Sequence, residues 1–279
     1  MDFIQYPQDA AVYKVPTHPD ELMVHAKNYM DNLLNIQPNM FLGVGNNVLN
    51  TCQTEMLNKL AEEFNGCLIV GGVVNSTNTG PIYPPFEATR DVLSVNPLDG
   101  EAAYLAGGNG WGFTMALHRG MIPIMGVIGV MRKIGKHPWF ISGGDNWLIT
   151  FSEPTAKLRT KKYNDADIRI EYNTSQQDSL AATKFFHELG QAELSHCMSS
   201  SFLNVLLGEL DGFFVTKARW VTTVALMAVS RRILPEMSFY INNDAPQPST
   251  LATLNRNESF RLHLVTHELG SRRLHRPVG

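Results

Sequence analysis

The order of apolar and polar residues predicts two amphipathic helices near the start of the chain. Apolar residues recur at helical spacing from Asp20 to about Ile36 and again from Thr51 to Phe64. Residues 38–50 contain glycines and a run of asparagines, which favours a loop or hairpin between the helices. The continuous apolar run Cys67–Val74 is typical of a buried strand.

The middle of the chain is dominated by strand patterns. An apolar run from Leu93 ends in Asn96-Pro97-Leu98-Asp99-Gly100, and a short helical segment and a glycine-rich turn follow. Two further apolar runs flank His118-Arg119-Gly120, which is interpreted as the turn between them. These runs and a second predicted hairpin cover Gly112–Leu117, Ile122–Met131, Trp139–Ser142 and Trp147–Phe151.

Strands and helices alternate after a charged stretch at Lys157–Asp167. This alternation indicates an α/β layer, and the charged stretch is the best candidate for a boundary between subdomains 1–155 and 156–279. No structure is assigned to the polar, basic tail Thr250–Gly279. The predicted strands are Ile168–Tyr172, Ala192–His196, Gly212–Thr216 and Met237–Ile241, and the predicted helices are Ser179–Leu189, Ser200–Leu207 and Trp220–Leu234.

Composition narrows the class of protein. A chain of 279 residues with 44% hydrophobic and 18% charged residues is ordinary for a globular protein, and a net charge of −3 gives no basic surface for nucleic acid. Three widely spaced cysteines favour reduced thiols over a disulfide framework. The N-terminus lacks the pattern of a signal peptide, and the run Met121–Met131 is too short to span a bilayer. We therefore expect a cytoplasmic protein with no membrane partner.

Asn96-Pro97-Leu98-Asp99-Gly100 resembles the metal-binding signature of the inositol monophosphatase-like family, which usually reads Asp-Pro-hydrophobic-Asp-Gly-Thr. Four other family segments match in order and spacing: a strand ending Gly71-Gly72-Val73, the hairpin GFTMALHRGMIPIMGVIGV, the segment SSSFLNVLLGELDGFF, and Trp220-Val221 at a helix start. The resemblance implies a layered α-β-α-β-α sandwich, usually a homodimer, that hydrolyses phosphate monoesters with Mg²⁺.

Most of the acidic residues that the family uses are absent here. The resemblance implies that one carboxylate ligand, Asp99, is kept. The positions where the family has other acidic or water-activating residues are occupied here by Gly72, Val73, Asn96, Val221, Asn47, Gln53 and Glu101. Because Mg²⁺ sites built around a single carboxylate are weak, Mg²⁺ binding is doubtful and we expect no cofactor.

Two acidic residues remain beside the turn, and they allow two interpretations. Asp99 and Glu101 are the candidate catalytic residues, as a metal-free acid/base pair in the former phosphate pocket. Alternatively, Asp99 ties down the turn and Glu101 occupies the first turn of a helix, where the helix dipole favours a carboxylate. The candidate ligand-binding residues around them are Asn96, Gly100, Gly72, Asn47, Lys217, Arg219 and Trp220.

Three functions follow from these alternatives. The first is an enzyme that acts without metal on a small polar metabolite in the former phosphate pocket. The second is a catalytically inactive pseudophosphatase that serves as a ligand-binding or partner subunit. The third is a residual sugar or nucleotide phosphomonoesterase. The serines Ser199–Ser201 begin a helix and are interpreted as capping residues, because no nucleophile-elbow motif surrounds them.

Overall fold

The computed structural model describes residues 13–40, 45–71, 91–120, 122–133, 135–158, 167–173, 190–230, 237–241 and 260–266. The helices within these ranges are α1 (Pro19–Met40), α2 (Gly45–Glu63), α3 (Glu101–Leu105), α4 (Met198–Leu206) and α5 (Trp220–Ser230). The strands are β1 (Leu68–Gly71), β2 (Asp91–Asp99), β3 (Trp111–Arg119), β4 (Ile122–Met131), β5 (Trp139–Gly144), β6 (Trp147–Phe151), β7 (Arg169–Asn173), β8 (Gln191–Leu194), β9 (Gly212–Ala218), β10 (Met237–Ile241) and β11 (Phe260–Thr266).

The described strands form two sheets. The six-stranded sheet has the order β1-β2-β3-β4-β5-β6; β1 and β2 are parallel, and each later pair is antiparallel. The five-stranded sheet has the order β10-β11-β9-β7-β8, in which β7 runs parallel to both β8 and β9. Strand β11 is antiparallel to both of its neighbours. The division into subdomains near residue 155 stays a prediction.

The sheets and helices stack in layers, as the sequence predicted. Helices α1 and α2 pack together, and α1 covers one face of β4 and β5. Helices α4 and α5 cover the other face, and α4 also contacts β9 of the five-stranded sheet. Strands β3 and β4 are buried on both faces, which explains why their sequences are almost continuously apolar. The predicted helix Ser179–Leu189 lies outside the described residues.

Helix α5 lies in the middle of this stack. Ten of its residues are buried, including Trp220, Leu226 and Val229. Such all-round burial explains why its sequence has no polar face. No helix in the described ranges is both long enough and apolar enough to cross a membrane.

Three local predictions differ from the structure. Helix α1 continues to Met40, because the Gln37 side chain donates hydrogen bonds to the carbonyls of Tyr104 and Gly108 and Met40 is buried. Helix α2 already begins at Gly45, so part of the predicted loop is helical. His118 and Arg119 belong to β3, and the chain turns at Gly120, whose φ is 56°.

The C-terminal tail contains a strand that the sequence did not predict. Strand β11 is inserted between β10 and β9 in the five-stranded sheet. Its pairing to β9 is shifted between Phe260 and Leu262. The two neighbouring strands supply backbone partners on both sides, which a single-sequence pattern does not reveal.

Gly100 determines the path of the chain between β2 and α3. Its φ of 83° lies in the left-handed region, and the register of β2 against β3 shifts just before it, between Asn96 and Asp99. A Cβ atom at this position would lie 2.8 Å from the Gly110 carbonyl oxygen and 2.9 Å from the Cβ of Cys197. Only glycine therefore fits this turn without strain.

The substitution Gly100→Ala is expected to destabilise the protein by about 2–4 kcal/mol. The cost combines the left-handed conformation with overpacking against a backbone carbonyl. Urea unfolding followed by circular dichroism measures it. The matched control is Gly108→Ala, because a Cβ there meets its nearest atom at 3.4 Å and the φ is not positive. The control should lie within about 0.5 kcal/mol of the parent; equal effects of the two substitutions would contradict the prediction.

Candidate functional site

The candidate site lies at the end of β2, where the bulge and Gly100 redirect the chain. The Tyr29 hydroxyl on α1 donates a hydrogen bond to the Pro97 carbonyl at 2.9 Å. Leu98 points into the apolar cluster between α1, α2 and the six-stranded sheet. The turn is therefore fixed from the α1 side, and Asp99 is left facing α4.

Asp99 is bound to the first turn of α4. Its Oδ2 atom accepts a hydrogen bond from the Ser199 backbone N–H at 2.7 Å and another from the Ser199 hydroxyl at 2.5 Å. The Cys197 thiol points to the same oxygen at 3.5 Å, and Cys197 is the N-cap residue of the helix. A carboxylate at a helix N-terminus satisfies an unpaired N–H group and opposes the helix dipole. Asp99 therefore acts as a cap supplied by a distant strand.

Asn96 makes a second connection between β2 and the helices that cover this face of the sheet. Its side-chain Nδ2 donates to the Thr222 hydroxyl on the first turn of α5 at 2.7 Å. Asn96 is 4% exposed and Thr222 is 1% exposed. In this position the side chain is a buried, hydrogen-bonded joint between β2 and α5.

Trp220 belongs to the core. It is 3% exposed, and its ring lies edge-on to the His118 imidazole with centroids 4.9 Å apart. The Nδ1 atom of His118 lies 2.7 Å from the Gly120 carbonyl, and Nε2 lies 2.8 Å from the Ser94 hydroxyl. Because a carbonyl only accepts, Nδ1 carries the hydrogen and Nε2 accepts from the serine. The predicted ligand-binding role of Trp220 is not favoured by this burial.

Glu101, Lys217 and Arg219 form the polar side of the site. Glu101 is partly buried at the first turn of α3; burial raises its pKa, and the nearby Arg219 charge opposes that rise. Lys217 and Arg219 are exposed at the end of β9 and just before α5. A carboxyl group with a raised pKa beside a guanidinium can donate or accept a hydrogen bond to a polar ligand.

The two remaining predicted positions do not join this group. Asn47 is an exposed residue of α2, and its backbone carbonyl accepts a hydrogen bond from Thr51 at 2.9 Å. Within the described residues, no hydrogen bond or ion pair connects Asn47 with Asp99 or Glu101. Gly72 lies outside the described residues.

A second polar joint that sequence reasoning missed holds β7 to α4. Glu171 is 4% exposed, and it accepts hydrogen bonds from the Ser201 hydroxyl at 2.5 Å and the Lys133 amine at 3.1 Å. The Ser195 and Ser201 hydroxyls lie 2.8 Å apart. No local motif marks this network, because its members come from three separate stretches of chain.

The resemblance to the inositol monophosphatase-like family implies a magnesium site at this turn, so we ask whether the residues present fit Mg²⁺. The lone pairs of Asp99 Oδ2 already receive an N–H and an O–H, and Val221 is a buried apolar residue where the family has an aspartate. No group of three or more His, Cys, Asp or Glu side chains that could hold a metal ion occurs in the part of the chain that the structure describes. These residues do not fit a hard cation that requires several oxygen ligands.

Comparison with known proteins identifies the fold. No family model and no curated protein matches the sequence. Among solved structures, an inositol monophosphatase from Zymomonas mobilis is similar with a TM-score of 0.66 and 13% identity over 93% of this chain and 98% of that one. Inositol monophosphatase from Anabaena (Nostoc) gives 0.67 and 12% over 90% and 94%. SuhB from Mycobacterium tuberculosis gives 0.66 and 12% over 92% and 95%. The chain thus has the inositol monophosphatase fold.

Asp99→Ala is expected to destabilise the protein by about 2–4 kcal/mol, because it removes two hydrogen bonds to a charged group and a helix cap. Chemical unfolding measures the change. Asp31→Ala, at an exposed position of α1, is the matched control and should lie within about 0.5 kcal/mol of the parent. A double-mutant cycle with Ser199→Ala should show coupling between the two residues; additive effects would disprove the capping contact.

Glu101→Gln tests the raised pKa of Glu101. Because burial raises the folded-state pKa, the parent loses stability relative to the Gln variant as pH rises from the usual glutamate value of 4.5 through that raised pKa. Below that window the stability difference should be constant. Unfolding measured from about pH 3 to about pH 8, which begins below the usual glutamate pKa, gives the curve. Glu62→Gln, at an exposed position of α2, is the control; the same curve for both variants would refute the shift.

Proposed function

We propose that this protein is a non-hydrolysing member of the inositol monophosphatase fold that binds a small polar metabolite without Mg²⁺. The observation that carries the proposal is the position of Asp99, whose Oδ2 is held by the backbone and side chain of Ser199. The carboxylate that would be the last metal ligand is used instead to cap α4. The Asp99 side of the site therefore serves as a structural joint, which leaves its polar side for ligand binding.

The neighbouring residues support the same conclusion. Asn96 is hydrogen-bonded to Thr222, and the position next to Trp220 is the apolar Val221. Hydrolysis in this family depends on cations that stabilise the charge of the transition state, a contribution worth several kcal/mol. A chain that has replaced these carboxylates with neutral groups lacks that contribution. A residual phosphomonoesterase is accordingly disfavoured.

The polar side of the site supports ligand binding. Lys217 and Arg219 are exposed cations, and Glu101 is the carboxyl group that Arg219 faces. The two cations outnumber the single carboxylate, so a metabolite with an anionic group, such as a phosphorylated polyol, is favoured. Arginine and lysine bind phosphate directly without a metal.

We further propose that the protein acts in the cytoplasm and forms a homodimer. Light scattering, which measures the molar mass in solution, tests the homodimer.

A second candidate is a metal-independent enzyme that uses Glu101 and Asp99. The raised pKa of Glu101 favours it, because burial shifts this carboxyl group toward its protonated form, which is the form that acts as a general acid. Asp99 Oδ1 has no hydrogen bond among the described residues, so this oxygen could serve as the base. In this case turnover would continue in EDTA and be lost in Glu101→Gln.

A thermal-shift titration with and without metal tests the proposed function. Millimolar Mg²⁺ or Mn²⁺ should leave the melting temperature unchanged, and inositol monophosphate in EDTA should raise it. A ligand at a hundred times its dissociation constant stabilises the native state by about 2.7 kcal/mol. Phosphate release should stay at the level of the buffer.

The variants Lys217→Ala and Arg219→Ala should weaken this shift, and Lys136→Ala, at another exposed lysine, should not. A metal-dependent shift together with metal-dependent phosphate release would contradict the proposal and restore the phosphatase hypothesis. Phosphate release in EDTA that requires Glu101 would instead favour the metal-independent enzyme.

A further inference from the structure

Thr114 on β3 has a buried hydroxyl group beside the site just described. The residue is 0% exposed, and its Oγ1 has no hydrogen-bond partner among the described residues. Burying a hydroxyl without a partner costs free energy, so native proteins almost always satisfy such groups with protein or with ordered water. Thr114 therefore points to an interaction that the described part of the chain does not supply.

The register of the sheet places Thr114 next to Asn96. The two residues are directly opposite each other on β3 and β2, so their side chains project from the same face with Cβ atoms about 5 Å apart. That face carries α5, because the Asn96 amide meets Thr222 on its first turn. Ile128, opposite Thr114 on β4, packs in the apolar cluster formed with α4 and α5. Asn96 and Thr114 thus lie side by side on the face that α5 covers, and Thr222 meets Asn96 there.

These three groups have complementary unused hydrogen-bonding capacity. Asn96 donates from Nδ2 to Thr222, which leaves its Oδ1 without a described donor and the Thr222 hydroxyl hydrogen without a described acceptor. Thr222 does not bond back to its own helix, whereas the adjacent Thr223 donates to the Arg219 carbonyl at 2.9 Å. Thr114 can both donate and accept. A single hydroxyl group satisfies all three, because it can donate its hydrogen to Asn96 Oδ1 and accept hydrogen bonds from the Thr114 and Thr222 hydroxyls.

We propose that Asn96, Thr114 and Thr222 form a neutral subsite for one hydroxyl group. Its occupant is a water molecule or a hydroxyl of a bound polyol, and these share the required chemistry. The site has the two to four polar partners that a buried water needs. A polyol hydroxyl as the occupant rests on the proposed function, whereas a water molecule as the occupant does not depend on it. A cation is disfavoured because the three groups carry no charge.

Thr114→Val removes the hydroxyl and keeps the shape. If the hydroxyl binds an occupant, the unfolding equilibrium constant should rise about tenfold, because the occupant loses a partner. If the hydroxyl is merely unpaired, valine should lower that constant, and this result, or no change, would overturn the proposal. Thr114→Ser, which keeps the hydroxyl, should retain more of the stability than Thr114→Val. Thr150→Val, at an exposed position of β6, gives the baseline for the substitution in a strand.

A high-resolution crystal structure with and without myo-inositol identifies the occupant. An isolated oxygen peak at about 2.7–3.2 Å from the three side chains supports the water, and density continuous with a ring supports the polyol. Empty density, or a peak at the roughly 2.0–2.6 Å of a bound metal ion, overturns the subsite. If the proposed function fails because Lys217→Ala and Arg219→Ala leave ligand binding unchanged, the water peak is still expected. The two failures are therefore distinguishable.

Discussion

The contact between Asp99 and Ser199 is the constraint on which the architecture of this site depends. A carboxylate at the end of β2 receives the backbone and side-chain hydrogens of the first turn of α4. To bring the carboxylate there, the strand bulges and turns at a glycine with positive φ. Asn96, on the same strand, makes the corresponding contact to the next helix, because its side chain donates a hydrogen bond to Thr222 on α5. The end of β2 is thus one place where hydrogen bonds join the six-stranded sheet to the helices of the central layer.

The chemistry of these residues explains how a fold of this kind can exist with so few acidic groups. Several carboxylates close together repel one another and raise each other's pKa when no cation neutralises them. In this chain neutral Asn96 and Thr222 share a hydrogen bond, and the Asp99 carboxylate is stabilised by N–H and O–H donors of α4. Asn96, Thr222 and Asp99 thus each make at least one hydrogen bond within the chain. The arrangement is consistent with electrostatic stability in the absence of metal.

Much of the fold could be predicted from the sequence, because long apolar runs and helical spacing depend on local residues. The strands β4, β6 and β10 and the start of α5 match closely, and the order of motifs indicated the fold itself. The use of Asp99 could not be predicted, because its partner Ser199 is distant in sequence and carries no local signal. Strand β11 was missed for a similar reason, since it depends on pairing with β9 and β10. Trp220 is a candidate ligand-binding residue by sequence, but its burial against His118 reflects packing that the sequence does not show.

The distance along the chain between the partners at the end of β2 has a consequence for folding. Asp99 and Ser199 are separated by 100 residues, and Asn96 and Thr222 by 126. Closing loops of this length lowers the conformational entropy of the chain before the contact can stabilise it. Proteins with many such long-range contacts therefore fold slowly. The Ser199 N–H group at the start of α4 therefore gains its carboxylate partner only when the six-stranded sheet is in place. The predicted subdomains 1–155 and 156–279 should therefore unfold in one cooperative transition, and neither should be stable as a separate fragment.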